Sequence, residues 1–336
     1  MRCSRKRRTA SVRKKLSVPG FQNLNLYAVK LRHAAVYIAI IITLTVLLPY
    51  FCIKLFPQIA TDPENTNYSG TLPKTVKVYI TAEKRTKTIP FEKYVQGVVA
   101  SEMPSSFEKE ALKAQAVASR TYALGRIKAG AKLCDSVHCQ VYREDNISRK
   151  VKNAVKSTCG QVLLSKGKLA ASALYFSSSA GPTENAEDIF TTPHRYLVSV
   201  ESSYEPGATH KKETYTMTIN SFVKKIKKSF PDTHFGKVTK NNIRITSRTK
   251  GGRADTVQIG KEEISGNDLR TALGLYSSRL KISFIGNKKI TITTAGSGHG
   301  VGMSQYGANG LAKKGKSYED ILSHYYQGTR VSAKTG

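Results

Sequence analysis

Tryptophan is absent, cysteine occurs only 5 times in 336 residues, and 23 acidic residues stand against 54 Lys and Arg. So few cysteines exclude a disulfide scaffold, which small secreted folds build at much higher density. Without tryptophan, any aromatic stacking on a ligand falls to the 17 tyrosines. The shortage of acid leaves a formal net charge of +31, which suits a polyanionic partner better than a cationic one. Hydrophobic residues make up 40% of the chain, which excludes disorder throughout. The length allows two domains, or one large domain with appendages.

The charge is unevenly placed. Residues 1–33 contain ten Lys and Arg and no acid, and an uncharged run, AAVYIAIIITLTVLLPYFCI, fills 34–53. Twenty helical residues cover roughly the 30 Å hydrocarbon core of a bilayer. Bulky Leu47, Leu48, Tyr50 and Phe51 occupy the place where a signal peptide would carry small residues for cleavage. The sequence therefore predicts a cytoplasmic basic tail (1–33), a single transmembrane anchor (34–53), a stalk (54–73) and an extracytoplasmic domain (74–330). The basic tail then follows the positive-inside rule. An external domain meets no genome, so wall polymers and lipid headgroups replace nucleic acid as the expected polyanions.

Within 74–330, Val76, Val78 and Ile80 alternate as in a strand, and helical patterns follow at Phe91–Met103 and Phe107–Lys128. Hairpins are expected at Val162–Leu164 with Leu169–Phe176, at Ile243–Arg248 with Ala254–Ile259, and at Leu280–Ile285 with Lys289–Thr294. Further helices are expected at Ser221–Phe230 and Tyr318–Tyr326, the last capped by Ser317. The fold class is α+β: a helical entry, then an antiparallel, hairpin-rich sheet forming a substrate groove, behind one N-terminal transmembrane helix.

One glutamate breaks the pattern. Phe91, Tyr94, Val95, Val98 and Val99 form an apolar helical stripe, the next position on it is Glu102, and Pro104 ends the helix. Desolvation and the negative end of the helix dipole both raise the pKa of such a carboxyl, as a general acid requires. The competing reading is a frayed last turn with Glu102 in water. Ser105 to Glu108 reads as a capping box for the next helix. That alanine-rich helix carries Lys113 and Arg120, which either pair with local acids such as Glu110 or line a site for an anionic substrate. Cys134, His138 and Cys139 fall within six residues. They read as zinc ligands, as a disulfide beside a histidine, or as two plain thiols. A fourth zinc ligand would be water, Cys159, His194 or His210.

Three segments together resemble the stage II sporulation protein D family. They are Tyr94-Val95-Gln96-Gly97-Val98-Val99-Ala100-Ser101-Glu102-Met103-Pro104, the helix through Arg120-Thr121-Tyr122, and Gly298-His299-Gly300-Val301-Gly302-Met303-Ser304-Gln305-Tyr306-Gly307-Ala308. The resemblance covers roughly 74–330 and implies a lytic transglycosylase that cleaves glycan strands of septal peptidoglycan during engulfment in endospore formation. Glu102 matches the catalytic acid, acting as general acid and then base to leave 1,6-anhydromuramyl ends. Lys113 and Arg120 match positions suited to the muramic lactyl carboxylate. Tyr175, Ser178 and Thr183 match a strand and loop beside the groove, although Ala180-Gly181 stands where the family often has Gly-Gly. His299 and Gln305 lie in a glycine-rich turn, where His299 is either a groove residue or a turn histidine satisfied by backbone. Some clostridial relatives hold a structural zinc in a loop like the one at Cys134, His138 and Cys139. The implied partners are glycan strands, a peptidoglycan amidase and a multispan membrane protein, in the septal intermembrane space. The wider family includes amidase enhancers, so the alternative is a wall-binding enhancer with no chemistry of its own. A desolvated acid at Glu102 separates the two, because a pure binder has no need of one.

Overall fold

The computed structural model of the protein describes residues 72–190 and 192–332. A hairpin opens the described chain: β1 (Thr75–Ile80) pairs antiparallel with β2 (Arg85–Pro90). Its turn is held from afar, since the Thr81 hydroxyl donates to the Asp135 carboxylate at 2.6 Å. β3 (Leu133–Cys134) adds in parallel to β1.

Two helices follow. α1 (Phe91–Glu102) buries Phe91, Tyr94, Val95, Val98 and Val99, the stripe read from the sequence. Gly97 lies on the same buried side because a Cβ there would come within 2.5 Å of the Tyr142 ring and the Arg143 carbonyl. α2 (Lys109–Lys128) is buried on several sides, its alanines admitting α1, α3 (Arg149–Ser157), α7 (Gln305–Lys313) and α8 (Tyr318–Tyr325) at short range. The expected capping box does not form. Ser105 lies in a turn before the helix, Glu108 is the N-cap, and its N–H donates to Asn309 Oδ1 at 2.8 Å, a partner that arrives only with α7. By contrast, Ser317 and Asp320 do form a capping box at the start of α8.

Among the described residues the strands form five small sheets. β4 (Leu163–Ser165) lies between β5 (Lys168–Leu169) and β14 (Thr329–Val331). β6 (Tyr175–Phe176) pairs in parallel with β13 (Met303–Ser304), and α4 (Ala186–Phe190) follows β6 after a loop. A second hydrophobic core is built from two three-stranded antiparallel sheets. One is β8 (Ile243–Arg248), β9 (Ala254–Ile259) and β10 (Glu262–Ser265); the other is β7 (Glu213–Thr218), β11 (Leu280–Ile285) and β12 (Lys289–Thr294). Their inner faces enclose Phe222 and Ile226 of α5 (Ile219–Ser229) and Leu269 of α6 (Gly266–Leu273).

This mixed architecture is consistent with α+β, and it corrects the expected fold in two respects. The strands make several short sheets rather than one, two of the pairings are parallel, and helices return at the end of the chain. The expected transmembrane helix is withdrawn as part of the fold. The tail at 1–33, the run at 34–53 and residues 54–71 of the stalk lie outside the described residues. Among the described residues no helix is long and apolar enough to cross a membrane. The 20-residue α2 is long enough but carries Lys109, Glu110, Lys113, Arg120, Arg126 and Lys128, too many charges for a hydrocarbon core. The expected single-pass placement, with its cytoplasmic N-terminus and extracytoplasmic domain, is set aside with it.

Candidate active site and metal-binding loop

Glu102 closes α1 where Met103 turns extended and donates its N–H to the Val99 carbonyl at 3.0 Å. The carboxyl is half-buried. Val141 N–H donates to Oε1 at 2.8 Å, and the Gln305 amide donates to Oε2 at 3.4 Å. Burial pushes the Glu102 pKa up, and the two donated hydrogen bonds offset part of that rise. Among the described residues no cation forms an ion pair with it.

Tyr175 approaches from β6. Its hydroxyl donates to Gln140 Oε1 at 2.8 Å, and Gln140 in turn donates to the Tyr94 hydroxyl at 3.3 Å. Burial and the nearby Glu102 charge both push the Tyr175 pKa up, so the phenol keeps its proton. Tyr94 stacks on Tyr142 with centroids 5.2 Å apart. Gln140 and Val141, which position this side of the site, belong to the loop after the cysteine cluster and gave no signal in the sequence.

Gln305 is the first residue of α7, not part of the preceding turn. Ser304 caps that helix, its Oγ accepting from Gly307 N–H at 3.1 Å and donating to Glu205. The segment before it runs beside the loop after β6: Ser178 bridges to Ser297, and Glu184 bridges to Val301. Ser178 and Thr183 are turned into this framework. The Ser178 hydroxyl donates to the Thr209 carbonyl at 3.4 Å, and the Thr183 hydroxyl accepts from Val200 N–H at 2.9 Å. Neither contacts Glu102. The loop's Ala180 takes φ +56 and Gly181 φ +142, so alanine holds a left-handed position that glycine adopts without strain.

Lys113 and Arg120 of α2 have partners within the protein. Lys113 pairs with Glu110 at 2.7 Å and lies 5.2 Å from the Tyr318 ring centroid. Arg120 is fully buried and forms a two-point contact with Glu92, both bonds 2.8 Å, while Nη1 donates to the Gln161 carbonyl at 2.9 Å. Of the two sequence readings of Arg120, pairing with an acid of the chain is the arrangement seen, with Glu92 on the guanidinium fork rather than Glu110.

His299 is held by backbone. Its Nδ1 accepts from Val301 N–H at 3.1 Å, which puts the proton of the neutral ring on Nε2. Burial, with Arg253 and Arg270 nearby, pushes its pKa down to about 4. An unfolded histidine titrates near ~6.5. Between these values the unfolded chain binds a proton that the folded chain refuses, so the stability owed to neutral His299 is complete above pH ~6.5 and is lost as pH falls toward 4. The unfolding free energy from denaturant curves should therefore fall less between pH 7 and pH ~4.5 in His299→Gln, by roughly 2 kcal/mol. Equal losses in both proteins would contradict this.

Cys134, His138 and Cys139 form a group able to hold a metal ion, their donor atoms all within 4.8 Å of one another. The sulfurs are 3.0 Å apart and unbonded, and His138 Nδ1 lies 3.7 Å from Cys139 Sγ. Burial pushes the Cys134 thiol up, but hydrogen bonds from Cys139, Ser136 and His138 outweigh it and bring it down to about 7. The candidate fourth ligands stand apart. Cys159 is exposed and outside the group, His210 hydrogen-bonds Glu213 at 2.9 Å, and His194 packs on Tyr196.

Residues 79–164, which include Glu102, Lys113, Arg120 and the cysteine cluster, match the family model for Stage II sporulation protein. The chain is 39% identical over 281 residues to stage II sporulation protein D of Bacillus subtilis (strain 168), covering 77% of this chain and 79% of the relative. This chain belongs to the stage II sporulation protein D family. Stage II sporulation protein D of Bacillus amyloliquefaciens is equally similar, 39% identical over 280 residues with the same coverage. The amidase enhancer of Bacillus subtilis (strain 168) is 28% identical over 288 residues, covering 71% of this chain and 40% of the relative. Membership ties the chain to sporulation and to a role at the cell wall, and Glu102 lies within the segment that carries the family match.

Proposed function

We propose that this member of the stage II sporulation protein D family is a peptidoglycan lytic transglycosylase, with Glu102 as its general acid and base. The observation that carries the reading is the Glu102 carboxyl itself: half-buried, raised in pKa, and held by one short and one long hydrogen bond. Oε1 is engaged by Val141, so the loosely held Oε2 is the oxygen to carry the proton. Glu102 first protonates the glycosidic oxygen as the bond to the muramyl C1 breaks. The resulting carboxylate then takes the proton of the muramyl C6 hydroxyl as that oxygen bonds to C1. The products are a 1,6-anhydromuramyl end and a new free hydroxyl, with no water consumed. Ordinary glycosidases need a second carboxylate for water or for a covalent intermediate; here the substrate's own hydroxyl takes that part.

Lys113, half-buried at the end of an i, i+3 pair, keeps donors for a substrate carboxylate more readily than Arg120 does. Tyr175 stays a neutral phenol beside the Glu102 charge and is tied through its hydroxyl to Gln140, the neighbour of Val141. Mass spectrometry of purified glycan strands incubated with the protein tests the reading, anhydromuramyl products supporting it. A second reading, a wall-binding enhancer that recruits or activates an amidase, is favoured by the similarity to an amidase enhancer; it predicts intact strands. In either case an amidase acting on the same wall is the expected partner, with a multispan membrane protein of the engulfment machinery as the other partner class that family membership suggests.

Cys134, His138 and Cys139 are read as three ligands of a structural zinc. A tetrahedral zinc with ~2.3 Å bonds to sulfur holds its thiolates roughly 3.7 Å apart, so the sulfurs, now 3.0 Å apart, need open only slightly. The thiol already drawn down to about 7 deprotonates readily. Zinc would cross-link the loop that delivers Gln140 and Val141 to the site. Elemental analysis in chelator-free buffer is expected to give close to one zinc per chain, and chelation to lower the melting temperature. A zinc content far below that, or a melt indifferent to chelator, removes the reading.

A further inference from the structure

Arg253 reaches from the second core into the glycine-rich turn, and the proposed chemistry gives it no part. Arg253 and Glu184 are both fully buried, with Nε 3.3 Å from Glu184 Oε1. Arg253 Nη1 donates to Ser277 Oγ at 2.8 Å and to the Gly298 carbonyl at 3.1 Å. Glu184 N–H donates to the Gly300 carbonyl at 2.8 Å. Gly300 lies against the guanidinium so closely that a Cβ would come within 2.5 Å of Nε. The pair therefore grips the turn from two sides.

Stability alone does not explain this pair. The Glu184 oxygens have Thr249 and the Gly251 backbone beside them but complete no close hydrogen bond. Buried ion pairs with incomplete hydrogen bonding are poor stabilisers, often matched by apolar side chains. The turn, however, needs an external hold. Gly298, Gly300 and Gly302 all take positive φ, at 107°, 90° and 77°, and glycine has little conformational preference of its own. The chain leaving this turn enters β13 and then Gln305, whose amide meets Glu102 at 3.4 Å. At that length a shift of a few tenths of an ångström breaks the contact.

We propose that Arg253, paired with Glu184, is a positioning residue for the reaction at Glu102: it fixes the glycine-rich turn so that the Gln305 amide stays on the carboxyl. The inference rests on Glu102 being the acid.

The test uses the full chain and three variants. Arg253→Lys keeps the charge but loses the fork, Ser277→Ala removes one acceptor of the guanidinium, and Gln305→Ala removes the amide. On purified glycan strands, Arg253→Lys is expected to lower kcat about tenfold with KM little changed. In the Gln305→Ala background the same substitution should add nothing, because both act through one hydrogen bond. Independent, multiplying effects overturn the inference, as does an unchanged kcat in a folded Arg253→Lys protein. If that protein does not fold, the smaller effect of Ser277→Ala must vanish in the Gln305→Ala background in the same way. Carbon-13 NMR titration of the Glu102 carboxyl provides a readout independent of turnover. Losing the amide removes a donor that favours the carboxylate, so the titration should move upward in Arg253→Lys as it does in Gln305→Ala. An unmoved titration overturns the inference even in a chain that cuts no glycan, whereas absent anhydromuramyl products with a shifted titration fault the acid reading and leave the positioning intact.

Discussion

Replacing Glu102 by glutamine is expected to leave the protein folded and to lower glycan-strand cleavage by about 10²–10⁴-fold, the usual contribution of a positioned acid. The amide keeps the shape of the carboxyl and can still accept from Val141 N–H, the 2.8 Å bond that ties the end of α1 to the loop after the cysteine cluster. It cannot release a proton. Because burial penalises the charged carboxylate, the neutral amide should not destabilise the fold and can stabilise it modestly. That combination, lost turnover with an unchanged or higher melting temperature, is what an acid shifted by burial gives. Circular dichroism and a glycan digestion assay on the same preparation check both halves. A Glu102→Gln protein that still cut strands at the wild-type rate would remove the catalytic assignment of Glu102, whereas strands left intact by both proteins would leave the enhancer reading. The pH dependence has a fixed sign: cleavage depends on protonated Glu102, so kcat/KM should fall as pH rises through its raised pKa.

The second large effect is one of stability and falls on a residue remote from the reacting groups. Glu92→Ala is expected to cost about 3–5 kcal/mol, because it leaves Arg120 buried without its counter-charge. The pair is asymmetric: the Arg120 side chain is 0% exposed and that of Glu92 is 31% exposed. Arg120→Met should therefore cost less, since the orphaned Glu92 can turn to water while the methionine fills the arginine's channel. Urea unfolding of both variants measures the difference. Were Arg120 instead a clamp for a substrate carboxylate, its replacement would raise KM and barely move stability, and Glu92→Ala would be mild.

Local chemistry explains which features were legible beforehand. The hairpins Ile243–Arg248 with Ala254–Ile259 and Leu280–Ile285 with Lys289–Thr294 have the expected bounds, because alternation and turn residues both act within a few positions. Ser317 caps its helix for the same reason. The strand at Glu213–Thr218 was missed: its alternation of Thr with Tyr and Met is only weakly apolar, and its place is fixed by pairing with Lys289–Thr294. The helix at Gln305–Lys313 was not expected, and Gln305 was placed in the glycine-rich turn, since Gly307, Asn309 and Gly310 argue against helix unless neighbours bury them. α2, read as starting at Phe107, is shorter because its N-terminal donor was met by Asn309 rather than by Ser105.

The sequence by itself determined that Glu102 continues an apolar stripe into a helix ended by Pro104, and that two thiols and an imidazole lie within one short loop. Both follow from spacing, because helix periodicity and loop proximity are properties of consecutive residues. Only the tertiary structure decided what those groups meet. The partners of Glu102 come from Val141 and Gln305, 39 and 203 residues further along, and that of Arg120 from Glu92, 28 residues back. Arg120 became a buried structural cation, and Gln305 reached the carboxyl, through packing of helices and turns whose contacts no local periodicity encodes. Burial then set the protonation of Glu102 and His299, since the cost of a charge depends on the solvent and dipoles that the completed fold leaves around it.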